Sequence, residues 1–177
     1  FIPENAAAIK IESTKSYGAA VILTKNKAES ETAAKNMQQQ GAFLLHPFDN
    51  DDVILGQGTS CYEALVDGHK PDAIFAPIGG GGLISGTLLA AQLMTDSTKV
   101  IGAEPAMAND AWQSYKSGSI VSLKEDAKTI ADGARTLSVC DRTFEYIQQL
   151  DDIIQVQEEQ IKHWARMLFL HLKVTVE

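Results

Sequence analysis

The sequence has 177 residues, 45% apolar and 21% charged, with 23 acidic against 15 basic side chains and a formal net charge of −8. That make-up fits a globular chain long enough to bury a core and excludes a disordered or collagen-like one, while the acidic balance argues against a nucleic-acid or anionic-membrane surface. No apolar run reaches the roughly 18 uncharged residues of a membrane span, and Cys61 and Cys140 have neither a CxxC partner nor a ligand-spaced histidine, so they read as buried, reduced thiols of a cytosolic protein.

Along the chain, helix and strand periods alternate, the signature of an α/β protein. Phe1-Ile2-Pro3 opens the chain without the basic and apolar regions of a secretory leader. Pro3-Glu4-Asn5 introduces a helix over Ala6 to Ser16 that stops at Tyr17-Gly18. Ala19 to Leu23 has the apolar character of a buried parallel strand, Ala28 to Gln40 is a polar-faced helix stopped by Gly41, and Phe43 to His46 is predicted as the next strand. Pro47 and the acidic stretch Asp49-Asn50-Asp51-Asp52 break the rhythm and mark a domain boundary, with two of the acids placed to cap a helix through about Val66. Then come a strand at Ala73 to Ile78, a loop at Gly79 to Gly82, a helix over Leu83 to Met94, a strand at Val100 to Ala103 and a helix over Asn109 to Tyr115. Residues from Ser117 to Arg135 read mostly as loop, followed by a helix over Thr143 to Leu150, a strand at Asp152 to Val156 and an amphipathic helix from Glu158 to Leu170. Leu172 to Glu177 reads as an extended segment entering the core.

The strongest chemical signal is the run Gly79-Gly80-Gly81-Gly82 between a strand and a helix. Backbone free of side chains lets successive N–H groups converge on an anion, and the helix that follows adds its partial positive charge, so the run reads as a phosphate seat. The spacing matches neither GxGxxG nor GxxxxGK[ST]. The plainer alternative is a tight turn needing positive φ, for which one glycine is enough.

Pro77-Ile78-Gly79-Gly80-Gly81-Gly82-Leu83-Ile84-Ser85-Gly86 resembles the phosphate-binding loop of the pyridoxal-phosphate enzymes of fold type II, in particular the serine/threonine dehydratase and serine racemase group. Tyr17-Gly18-Ala19, His46-Pro47-Phe48-Asp49, Gly56-Gln57-Gly58-Thr59 with Glu63, Gly102-Ala103-Glu104-Pro105, Thr129-Ile130-Ala131-Asp132-Gly133 and the closing Val176-Glu177 resemble that group in its order. The resemblance implies a three-layer open parallel sheet (tryptophan synthase beta-like), incomplete at both ends. Residues 1–48 would be the later half of a smaller α/β domain and 49–177 most of a larger cofactor-binding one. It implies pyridoxal 5'-phosphate held on Gly79, Gly80, Gly81, Gly82 and the amide of Leu83, with Gly133 beside the pyridine ring. It also implies a divalent cation (Mg²⁺, Mn²⁺ or Ca²⁺) on the carboxylates of Glu104 and Asp110 and the carbonyl of Ala108, hard oxygen donors that suit such ions. The ordinary alternative is that Glu104 ends a strand while Asn109 or Asp110 caps a helix.

The family's Schiff-base lysine sits in an S-x-K-x-R-G type segment upstream of a Pro-led helix like the one here. It is therefore expected outside this chain, and Lys15, on the wrong element, is rejected for the role. The histidines His46, His69, His163 and His171 show no ligand spacing, and Trp112, Trp164 and Phe169 fit core or interface positions. The activity implied for the whole protein is elimination of water from a 3-hydroxy amino acid to give a 2-oxo acid and ammonia, in a homodimer; serine racemisation and hydroxyaspartate dehydration are alternatives. Two other classes remain open. One is a non-catalytic module binding a phosphorylated small molecule; the other is a nucleotide-binding domain, disfavoured because only Glu104 approaches the position of a ribose-binding acid.

Overall fold

A computed structural model describes residues 1–125 and 127–176; Asp126 and Glu177, and with the latter the end of the Val176-Glu177 motif, lie outside the described residues. The chain forms two compact units, Phe1–Leu45 and the remainder from His46 onward.

In the first unit, two short parallel strands, β1 (Ile2–Pro3) and β2 (Leu23–Thr24), pair in the register Ile2↔Leu23. Helix α1 (Ala8–Ser16) ends where Gly18 takes φ +84°, and α2 (Lys27–Gln39) ends ahead of Gly41 at φ +96°, conformations that favour glycine. The Asn26 side chain starts α2 by accepting the Glu29 N–H at 2.9 Å. Two expected strands change here. Ala19 to Leu23 contracts to Leu23–Thr24, and Phe43 to His46 forms no strand, leaving Phe43 85% and Leu45 60% exposed. An apolar run states that a segment can be buried in a sheet, but a ladder forms only where a neighbouring strand supplies the partner groups.

The second unit begins with α3 (Asp51–Val66), α4 (Gly82–Met94) and α5 (Asp110–Ser117) around the strands β3 (Ala73–Pro77) and β4 (Lys99–Pro105). After a single 3₁₀ turn at Asp132–Ala134 come α6 (Asp141–Ile147), β5 (Asp152–Val156) and α7 (Glu158–Met167), which runs on into a π-helical turn at Leu168–Leu172. The strands form one parallel sheet in the order β3-β4-β5, aligned as Ala76↔Gly102↔Ile153. On that face Ala76, Val100 and Ile153 join Ile78 just beyond β3, Ile84, Leu88 and Ala91 of α4, Ala111 of α5 and Phe144 and Ile147 of α6 in one buried cluster. The opposite face carries Phe75, 60% exposed, and Ile154, 41% exposed.

Helix α4 is apolar nearly all round, which suits a helix enclosed on several sides. Its second face meets α3, where Cys61, Leu65 and Ala90 pack with Ile74. The two helices touch backbone to backbone: a Cβ on Gly58 would lie 2.6 Å from the Gly86 carbonyl oxygen. Asn50 caps α3 by accepting the Val53 N–H at 3.0 Å, while Asp51 and Asp52 occupy the first turn, so the capping role expected of the acids falls to the asparagine that precedes them.

The closing segment does not enter the core. Leu172, Val174 and Val176 are 64%, 48% and 42% exposed, and Lys173 turns the backbone to φ 57°. Trp164 and Phe169 are exposed too, and Cys140 is half-buried where a buried thiol was expected. Neither cysteine is in a disulfide. Among the described residues no helix is long and apolar enough to cross a membrane.

Candidate functional site

The glycine run leaves β3 at the edge of the ladder. The Ile78 N–H still donates to the Ala103 carbonyl at 2.9 Å, and the next four residues cross to the start of α4. Each glycine meets a different constraint. Only Gly81, at φ +91°, needs the left-handed region. A Cβ on Gly79 would lie 2.9 Å from the Gly133 carbonyl oxygen, one on Gly80 would enter the Phe48 ring, and one on Gly82 would meet Phe48 Cβ at 3.1 Å. The tight-turn alternative therefore accounts for one glycine of the four. Close packing accounts for the rest: Gly79 against Gly133, and Gly80 and Gly82 against Phe48.

The loop delivers backbone donors at the head of α4. A helix leaves its first N–H groups without intrahelical acceptors. Here the capping position is Gly81, with no side chain to accept them, and the first turn carries no acid, so the partial positive charge of the helix end is not offset locally. Gly133 stands against Gly79 through its carbonyl, and its own Cβ position faces open space. Two residues assigned from separate motifs, 54 positions apart in number from 79 to 133, are thus brought together.

The wall of the loop comes from the His46 to Asp49 turn, and its floor from Arg142 and Thr143, to which sequence alone gives no role. The turn at His46 to Asp49 is held by His46 Nδ1, which accepts the Asp49 N–H at 2.9 Å, and it lays Phe48 over Gly80 and Gly82. Arg142 of α6 reaches Asp49 at 3.0 Å and also pairs with Asp51, tying that turn to α6. The next residue, Thr143, is fully buried and donates its hydroxyl proton to the Gly80 carbonyl at 2.9 Å. No spacing rule connects Thr143 with Gly80, which is 63 residues away.

Glu104, Ala108 and Asp110 lie together around the start of α5, all buried. Glu104 accepts the Ala111 N–H at 2.9 Å and the Trp112 N–H at 2.8 Å, one on each carboxylate oxygen. It therefore caps α5 in place of Asn109, whose side chain donates to Gln155 instead. Burial pushes the Glu104 carboxyl up to about 8 against the opposing pull of those two N–H groups, and the neighbouring Asp110 charge adds to the rise. Among the described residues no group of three or more His, Cys, Asp or Glu side chains is arranged to hold a metal. Lys15 is exposed on α1.

A parallel α/β sheet with a glycine loop opening from a strand onto a buried helix is a recurrent phosphate-binding arrangement. The model of the family described as pyridoxal-phosphate dependent enzyme matches residues 1–177, and the chain belongs to that family, with its fold type II α/β architecture. It is 41% identical to the L-threo-3-hydroxyaspartate ammonia-lyase of Saccharomyces cerevisiae, covering 99% of this chain and 55% of that protein. The structure of maize serine racemase superposes with a TM-score of 0.94 at 40% identity, over 99% of this chain and 54% of that one. The T.th. threonine deaminase does so with a TM-score of 0.90 at 38% identity, over 99% and 58%. The chain thus spans about half the length of the curated relatives it matches.

Proposed function

We propose that the whole protein is a pyridoxal-phosphate-dependent ammonia-lyase that eliminates water from a 3-hydroxy amino acid to give a 2-oxo acid and ammonia, and that this chain carries the seat for the cofactor's phosphate. The observation that carries this is the loop Gly79–Gly82, free of side chains and opening onto an uncapped helix end with no acid in its first turn. A phosphate dianion matches that donor set in both charge and hydrogen bonding. When bound, pyridoxal phosphate supplies an electron sink for the negative charge left by removal of an α-proton.

In this chain Gly79, Gly80, Gly81, Gly82 and the Leu83 amide hold the phosphate, and Gly133 leaves room for the ring beside them. Phe48 shields the loop from water on one side, which strengthens each N–H bond to the anion. The lysine that takes the α-proton is assigned to a part of the protein that this chain does not include. Residues 1–48 are assigned to the smaller domain and 49–177 to the larger, in a cytosolic homodimer.

The names of the yeast and T.th. relatives, an ammonia-lyase and a deaminase, favour elimination. The likeness to maize serine racemase supports a second reading in which a proton is delivered to the opposite face of the α-carbon and the hydroxyl stays. A divalent cation on Glu104, Asp110 and the Ala108 carbonyl belongs to either reading. Asp110 adds to the rise of the Glu104 carboxyl, a repulsion that a cation would relieve, and oxygen donors of this kind suit Mg²⁺, Mn²⁺ or Ca²⁺.

The deciding experiment gives the full-length protein, loaded with pyridoxal phosphate, L-serine, L-threonine and L-threo-3-hydroxyaspartate in turn. Release of a 2-oxo acid with ammonia supports the lyase, and accumulation of the D-isomer without keto acid supports the racemase. If phosphate-bearing ligands bind but no substrate turns over, a non-catalytic phosphate-binding module is left.

A further inference from the structure

We propose that Thr143 is a positioning residue for the phosphate loop, locking the Gly80–Gly81 peptide in the orientation that presents its N–H to the anion. This rests on the reading of Gly79–Gly82 as a phosphate seat.

A trans peptide unit carries its C=O and its N–H on opposite sides, and no cis bond occurs among the described residues. The Gly80 carbonyl points to the Thr143 hydroxyl at 2.9 Å. The N–H of the same peptide unit, that of Gly81, must therefore point away from α6. Glycines on both sides make this unit free to turn over, because neither residue has a Cβ to restrict φ and ψ. A turned-over peptide would aim a carbonyl dipole at the phosphate and withdraw a donor from it.

Three features make Thr143 the lock. Its hydroxyl has one proton, and the Gly80 carbonyl at 2.9 Å is nearer than the competing Cys140 carbonyl at 3.3 Å. The Thr143 hydroxyl oxygen accepts the Cys140 N–H at 3.4 Å and lies 3.3 Å from Cys140 Sγ, contacts that help to hold it in place. The side chain is fully buried, so no water replaces the bond when it is lost. Its Cβ also faces the bare Cα of Gly81, where an added Cβ would come within 2.9 Å. Arg142, one residue earlier, ties the Asp49 turn with its Phe48 cover to the same helix turn. The first turn of α6 thus braces both the floor and the wall of the loop.

The test uses the full-length protein freed of cofactor and titrated with pyridoxal 5'-phosphate and, separately, with pyridoxal, which lacks the phosphate. Thr143→Val keeps the shape and removes the proton; Thr143→Ser keeps the proton. Thr143→Val is expected to weaken pyridoxal phosphate about tenfold, the worth of one buried hydrogen bond, while leaving pyridoxal unchanged. Thr143→Ser is expected to restore most of the difference. Equal weakening of both ligands would assign Thr143 a general structural role and overturn the proposal, and so would no change in either. If the unsubstituted protein binds pyridoxal as tightly as pyridoxal phosphate, the phosphate seat itself fails. Should Thr143→Val not fold, Thr143→Ala, which adds no bulk, is read by the same criteria.

Discussion

Gly56 and Gly58 stand two residues apart in α3, and alanine at each has opposite expected effects. Alanine is the better helix former, so at an unobstructed position the change stabilises by up to about 1 kcal/mol. Gly56 is such a position: it is exposed, with nothing within 4 Å of where an added Cβ would sit. At Gly58 the added Cβ would lie 2.6 Å from the Gly86 carbonyl oxygen and 2.9 Å from its carbon, whereas ordinary contact begins at 3.4 Å. The obstructing atoms are backbone and cannot rotate aside, so α3 and α4 must separate, loosening Cys61, Leu65 and Ala90. Overpacking of this kind costs about 1–3 kcal/mol, which exceeds the gain in helix propensity. Gly58→Ala should therefore destabilise by about 1–2 kcal/mol and Gly56→Ala should stabilise. Urea unfolding of the full-length protein and both variants measures this as opposite shifts of midpoint at unchanged slope. A Gly58→Ala protein as stable as the unsubstituted one would refute the backbone contact between the helices.

Gly81→Ala places a side chain at φ +91° and against Thr143 Cβ, so it should lose at least about 1–2 kcal/mol of stability and most of its affinity for pyridoxal phosphate, read by cofactor titration. Glu104 titrates near 8 in the folded chain, above its ordinary value of 4.5, so the folded state holds its proton longer than the unfolded one. In metal-free protein stability should accordingly fall as pH rises from 4.5 to 8, by at most about 1.4 kcal/mol per pH unit. Glu104→Gln should flatten that slope, and added Mg²⁺ should do so only if a cation binds there; pH-dependent thermal melts decide both. Arg142→Ala should lower the melting temperature slightly, and the difference should vanish at high salt, because its ion pairs with Asp49 and Asp51 are exposed.

Much of the second unit was legible from local pattern. β5 spans Asp152–Val156 as read, and α3, α4 and α5 start and stop within two residues of their expected ends. Their apolar periods, caps and glycine stops act over a few residues and carry their own evidence. The glycine run was equally legible, since four side-chain-free residues between a strand and a helix are rare without a reason. Less was legible in the first unit, where Phe43 to His46 has strand composition but no pairing neighbour.

The sequence by itself determined the α/β class, the order of helices and strands in the second unit, and the place of the loop, because periodicity and glycine content are local properties. Only the tertiary structure decided why each glycine is needed. Gly80 lies under Phe48, Gly79 against Gly133, Gly81 against Thr143, and Gly58 against Gly86. It also decided that Glu104 caps α5 and that Thr143 holds the Gly80 carbonyl. Those are contacts between distant segments, and hydrogen-bond geometry and close packing are fixed only once the sheet has brought the segments together.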